Sequence, residues 1–217
     1  MKKIAVILSG CGHRDGSEIT ETVSLILALS ELEAEVEFFI PHLMVDAVNH
    51  LSGGVVLGDQ RNILIESARI TRGKSHDLSK LDPTHFDALI FVGGAGVVKN
   101  LSNWSSHGSE CMVIPGVKKA IEHFYSLSKP IGAICIAPVL LARILGAHHI
   151  SLTIGNDAEA INEILKTGAK HVECKVTDIV VDKKHKIVTT PAFMFEAPAH
   201  EIFKGIANLA KEIVSMI

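Results

Sequence analysis

Ile131-Gly-Ala-Ile-Cys-Ile-Ala-Pro138 holds the key to the fold in eight residues. Ile131 to Ile134 is a short continuous apolar run, which is how a strand buried on both faces reads. Pro138 stands where the first turn of a helix tolerates a residue lacking an N–H. Between them sits Cys135, with Ala133 two residues before it and Ala137 two after. A sharp strand-to-helix turn crowds those two positions. The small residues therefore predict a nucleophile elbow, with Cys in place of Ser and Ala in place of Gly in the hydrolase Gly-x-Ser-x-Gly turn. Backbone N–H groups at a helix start favour negative charge, so a lowered thiol pKa is expected, with the N–H of Ile136 facing an oxyanion.

The same alternation runs outward in both directions. Ile4 to Leu8, Val36 to Ile40 and Ala88 to Val92 read as buried strands. Ile19 to Leu32 reads as an amphipathic helix with apolar residues at 19, 23, 26, 27 and 29. Val117 to Leu127, Pro138 to Leu145 (ended by Gly146), Asp157 to Lys166 (capped by Gly168) and Ala197 to Met216 are the other predicted helices. Asp178 to Val181 and Lys186 to Thr189 form two strands joined by a charged turn. This order predicts an α/β fold, a parallel sheet with helices on both faces and right-handed crossovers. No long linker interrupts it, so residues 1–217 are expected to be one domain. Residues 41–80 are less regular and are expected to be an insertion or cap.

Composition narrows the function classes. Apolar residues make up 47% and charged residues 21%, as in a folded globular chain, and the net charge of −3 gives no reason to expect nucleic-acid binding. No apolar run approaches the ~20 residues that span a bilayer, so no membrane partner is expected. Leu8-Ser9-Gly10-Cys11 imitates a lipoprotein processing site, but the apolar run before it is too short for a signal core. The cysteines, Cys11, Cys111, Cys135 and Cys174, form neither a CxxC pair nor a zinc spacing. Free thiols in a reducing cytoplasm are expected, with no metal and no cofactor. The twelve histidines are scattered.

Two glycine-rich loops point to the same sheet edge. Gly93-Gly94-Ala95-Gly96 follows the Ala88–Val92 strand and lacks the third glycine of a dinucleotide fingerprint. Its backbone N–H groups, at Gly93 and Gly94, are candidate oxyanion donors. Gly10-Cys-Gly-His-Arg-Asp-Gly16 follows the first strand and puts Cys11 at the edge where open α/β sheets bind ligands. Ser17 with Thr20 or Glu21 reads as a helix N-terminus, with Glu18 and Glu21 suiting its dipole.

With these residues the chain resembles the PfpI and Parkinsonism-associated deglycase superfamily, and most closely its ElbB (enhancing lycopene biosynthesis) group. Further matching segments are Ile7–Gly12, Asp15–Ile19, Arg69–Gly73, Lys99–Asn103, Gly108–Cys111, Cys135–Pro138, Leu152–Gly155, Asp178–Asp182 and Ile187–Ala192, nearly the whole chain. The resemblance implies a flavodoxin-like, class I glutamine amidotransferase-like fold and a homodimer. It aligns Glu21 with the glutamate that the superfamily sets beside its cysteine, a shared-proton partner and general acid/base. PfpI-type peptidases carry a histidine directly after the nucleophile; here that residue is Ile136. Amidotransferases use a late His-x-Glu pair; here His200 and Glu201 are adjacent in a predicted helix. Gly155 stands where the deglycases have a histidine, with His148 and His149 nearby, and His13 follows the first strand. No Cys-His-acid triad is therefore expected, which disfavours glutamine hydrolysis and proteolysis. The implied activity is a glutathione-independent glyoxalase that takes a small aldehyde, glyoxal or methylglyoxal, to glycolate or lactate. The alternative is a non-enzymatic, redox-sensing or regulatory protein linked to isoprenoid metabolism.

Overall fold

In the computed structural model, which describes residues 1–217, the chain opens with β1 (Lys3–Ile7), α1 (Ile19–Glu31) and β2 (Glu35–Ile40). A hairpin of β3 (Met44–Val48) and β4 (Val55–Asn62) follows, then α2 (Ile63–Ile70) and β5 (Ser75–Asp77). β6 (Ala88–Phe91) leads through two one-turn helices, α3 (Gly96–Lys99) and α4 (Trp104–His107), to α5 (Pro115–Ser126). Next come β7 (Ile131–Ile134), α6 (Pro138–Leu145), β8 (Ser151–Leu152), α7 (Ala158–Lys166) and β9 (Lys170–His171). β10 (Val180–Asp182), β11 (Ile187–Thr190) and α8 (Ala199–Ser215) complete the chain.

Seven strands form one sheet in the order β10-β11-β7-β6-β1-β2-β5. Every pairing is parallel except β10 with β11, the predicted hairpin. The sheet is thus mixed, mostly parallel, with helices on both faces, as the alternation predicted. Strand periodicity explains why the runs are apolar throughout. Ala5, Ile7, Leu89 and Phe91 enter the core beneath α5 and α6, while Ile4, Val6, Ala88 and Ile90 enter the core beneath α1 and α8. β1 and β6 are neighbours whose chains leave in opposite directions, toward β2 and toward β7. Ligand crevices of open α/β sheets lie at such a switch point.

Two local expectations need correction. The segment 41–80 is not one irregular cap. Only the β3–β4 hairpin stands apart as its own two-stranded sheet; β5 pairs with β2 at the main sheet's edge. Edge strand β5 (Ser-His-Asp) is only partly buried and α2 buries just Ile63 and Ser67, so neither carries a strong apolar period. The buried face of α1 differs in part: of the predicted apolar positions Leu29 is buried and Ile26 partly so, but Ile19, Val23 and Leu27 are about half exposed, whereas Glu21, Thr22, Ser24, Leu25 and Ala28 are buried. Of the polar side chains on this inner face, Glu21 reaches the site described below. Gly146 does end α6, but in right-handed conformation (φ −56°). A side chain there would meet the carbonyl of Thr167 at 2.4 Å, so close packing requires the glycine, and His149 takes the left-handed position (φ 58°).

Candidate active site

Cys135 is an elbow. Its φ of 61° is left-handed, which costs a non-glycine residue roughly 1–2 kcal/mol. The conformation is held from both sides. The Cys135 N–H donates to Thr190 O of β11 (2.9 Å), and Ala137 N–H closes a turn onto Ile134 O (3.0 Å) before Pro138 starts α6. Ala137 and Ala133 are completely buried, as the crowding argument required. The backbone N–H groups of Gly94 and Ile136 both face the sulfur.

Glu21 arrives from the first turn of α1. Glu18 caps that helix: its carboxylate accepts the Glu21 N–H (2.7 Å), and its own N–H donates to Gly93 O (3.0 Å). Ser17, the expected cap, instead turns inward, where its Oγ accepts from Ser9 N–H (2.9 Å). The Glu21 carboxyl has no exposure to solvent. Its Oε1 accepts from the Phe193 N–H (3.3 Å), and the Gly93 N–H also faces it. Oε2 makes no well-formed hydrogen bond and lies beside the Cys135 side chain. A Cβ placed on Gly93 would sit 2.5 Å from Glu21 Oε2, 2.4 Å from Cys135 Cβ and 3.0 Å from Cys135 Sγ. Thiol and carboxyl thus share the space above Gly93.

Burial, reinforced by the negative Glu18, pushes Glu21 up to about 8, despite the opposing hydrogen bonds. Burial, then the Glu21 carboxyl, pushes the Cys135 thiol well above its ordinary value, with the Gly94 and Ile136 N–H groups opposing. The expected low thiol pKa is therefore corrected: desolvation and an acidic neighbour outweigh the helix start. Near neutral pH the resting pair is a thiol beside a protonated carboxyl, two coupled acids in one dry site.

The glycine run has a structural cause that the sequence left open. A side chain on Gly94 would strike Gly16 O at 2.3 Å and Glu18 N at 2.6 Å, and one on Gly96 would strike Ser9 Oγ at 2.4 Å. The loop after β6 crosses the loop after β1 in backbone contact, which brings the Gly94 donor and Glu21 to the same point.

The other candidate residues lie elsewhere. Cys11 does not join the pair. It lines a cleft of about 80 Å³ with Asp15, His50, Arg61 and Glu66, and burial first and then Glu66 raise its pKa. A bridge joins Cys11 to Ser17 within the loop after β1. His13 stacks edge-on with His50 (5.2 Å), and His148 packs on Tyr125 (5.1 Å). The Nδ1 of His149 bonds Gly168 O (3.0 Å). None of these contacts involves Cys135 or Glu21. His200 and Glu201 lie in α8, as expected of surface residues. No group of three or more His, Cys, Asp or Glu side chains converges as a metal site would.

Sequence reasoning missed Phe193. Its N–H reaches Glu21 from a one-turn helix (Ala192–Met194), in which Ala192 is also left-handed (φ 42°). The only signal was Pro191 directly after an apolar strand, which marks where the strand must stop.

No family model matches the chain. It is 39% identical, over 99% of its length and 83% of the relative's, to the human glutamine amidotransferase-like class 1 domain-containing protein 3, mitochondrial. The rat ES1 protein homolog, mitochondrial, is 38% identical. The crystal structure of an isoprenoid biosynthesis protein with amidotransferase-like domain from Ehrlichia chaffeensis superposes with a TM-score of 0.93 at 36% identity, covering 100% and 99% of the two chains. A ThiJ/PfpI domain protein from Brachyspira murdochii shares the fold (TM-score 0.63, 17% identity, 99% and 97% covered). These relatives overturn the cytoplasmic placement, since the curated ones are mitochondrial proteins. Free thiols and composition do not distinguish cytosol from organelle. Fold, elbow and similarity over nearly the whole chain agree that it belongs to the class I glutamine amidotransferase-like family.

Proposed function

We propose that the protein is a glutathione-independent glyoxalase of the ElbB group, with Cys135 as nucleophile and Glu21 as general acid/base. The observation that carries this reading is a fully buried carboxyl beside the elbow thiol, with no histidine contacting either. A peptide or amide leaving group needs a proton donor on its far side, which a triad histidine supplies. An aldehyde has no leaving group, and two groups suffice.

The steps balance. The Cys135 sulfur adds to one aldehyde carbon of glyoxal, and the thiol proton ends on the aldehyde oxygen, giving a hemithioacetal. The N–H groups of Gly94 and Ile136 stabilise the charge that develops on that oxygen. Ionised Glu21 removes the C–H proton from the hemithioacetal carbon and returns it to the neighbouring carbon, while the hydroxyl proton of the hemithioacetal passes to the oxygen of that neighbouring carbon, leaving a thioester of glycolic acid. Water cleaves the thioester to glycolate and restores the thiol. The base form of Glu21 appears only as pH rises through about 8, so turnover is expected to climb across pH 7 to 9.

Glycolate release from glyoxal, measured without glutathione, tests the reading. Wild type is expected to turn over and Cys135→Ala to lose activity by about 10³-fold or more. Equal rates would sink it. The name of the Ehrlichia relative points to isoprenoid biosynthesis; a second reading is a regulatory role there, with Cys135 as a peroxide target. That role needs an accessible thiolate. Cys135 is 7% exposed and its thiol pKa is raised, so mild peroxide is expected to leave it unmodified in a mass spectrum.

A further inference from the structure

The segments Lys99–Asn103 and Gly108–Cys111 carry part of the family resemblance, yet the Cys135–Glu21 pair uses neither. Residues from both line a second cleft of about 740 Å³, together with the start of α5 and the end of α6. That volume is within the range of small-molecule sites. Lys99, Lys118 and Arg143 all border it, against a single carboxylate, Glu122, which lies 3.8 Å from Lys118. In a chain of net charge −3 this is a local excess of positive charge.

The hydrogen bonds leave that charge unspent. Lys99 Nζ donates to Arg14 O (3.1 Å) and Arg143 Nε donates to Cys111 O (2.7 Å), so carbonyls hold both side chains without neutralising them. Anchoring through Nε orients a guanidinium and leaves its two terminal nitrogens as a fork for two oxygens of one anion. α5, twelve residues long, begins at the cleft with Ile114 as a cap that offers no side-chain acceptor and Pro115 as its first residue. Its free N–H groups add to the same preference. Apolar residues, Met112, Val113, Ile114 and Ile144, line the same cleft.

We propose that this cleft binds a small organic phosphate, its phosphoryl or diphosphoryl head on Arg143, Lys118 and Lys99 and a short hydrocarbon tail on Ile114 and Ile144. The cations alone would suit any phosphate; the apolar lining selects one bearing a tail. None of the lining residues belongs to the Cys135 pocket, so the site stands or falls independently of the glyoxalase reading.

Calorimetric titration of the full-length protein with inorganic pyrophosphate and with a pentyl diphosphate tests it. The expected result is one site per chain, tighter for the alkyl diphosphate by about tenfold or more, since its tail buries several CH₂ groups. Arg143→Gln and Lys118→Gln are each expected to weaken binding by about tenfold. Cys135→Ala is expected to leave it unchanged. Lys118 is exposed and surface-paired, so its variant decides the matter if Arg143→Gln fails to fold. Absence of binding, equal affinity for the two probes, unchanged affinity in Lys118→Gln, or loss of binding in Cys135→Ala would each overturn the proposal.

Discussion

Glu21→Gln is expected to make the protein more stable at neutral pH by about 3 kcal/mol while lowering glyoxal turnover by about 10²- to 10⁴-fold. The two effects share one cause. The folded chain holds the Glu21 proton up to about 8, whereas an unfolded chain releases it near the ordinary value of 4.5. Between those values the unfolded state has lost a proton that the folded state keeps. Stability therefore falls as pH rises through this window, and the penalty is complete above about 8. Below about 4.5 both states are protonated and the penalty vanishes. A glutamine is the neutral isostere of the protonated acid, so it keeps the shape and removes the penalty, along with the base. Denaturant unfolding of both proteins at pH 4.5 and pH 7.5 checks this: the curves should coincide at the lower pH and separate at the higher one.

Gly94→Ala is expected to be the more damaging of the single-residue changes in the loops. Its φ of 100° is closed to side chains at little cost, and the added carbon would meet Gly16 O at 2.3 Å and Glu18 N at 2.6 Å. Those atoms are backbone, so relief requires the loop after β1 to separate from the loop after β6. A loss of about 3 kcal/mol or more follows from strain and overlap together. Any folded fraction should also lose turnover, because the same shift moves the Gly94 N–H off the sulfur and the Glu18 cap off Glu21. Thermal melts beside activity per folded molecule separate the two losses.

The elbow was readable because local constraints act on each residue in it. A strand buried on both faces needs Ile131–Ile134, the turn needs Ala133 and Ala137, and the helix start accepts Pro138. The inner face of α1 was less readable. Apolar periodicity points to Ile19, Val23 and Leu27, which are half exposed, because the buried stripe includes Glu21, Thr22 and Ser24. A buried polar residue defeats a rule built on hydrophobicity. Glu21 itself came from the family resemblance and not from any local pattern. The thiol pKa was misjudged for a similar reason: a helix start is local and visible, whereas complete desolvation by α1 and the Phe193 turn is tertiary. The role of the Phe193 N–H, and the assembly of the cationic cleft from three separate segments, depend on packing that no single stretch encodes.

The account rests on carbon–sulfur bond formation at Cys135 followed by proton transfer through Glu21. Acid-quenching the protein during glyoxal turnover and weighing it intact tests both steps at once. A thioester of glycolic acid on Cys135 is expected in wild type and absent from Cys135→Ala, with Glu21→Gln stalled before that thioester and making almost none. Glycolate formed at wild-type rate with no adduct on Cys135, or an unchanged thioester yield in Glu21→Gln, would contradict it.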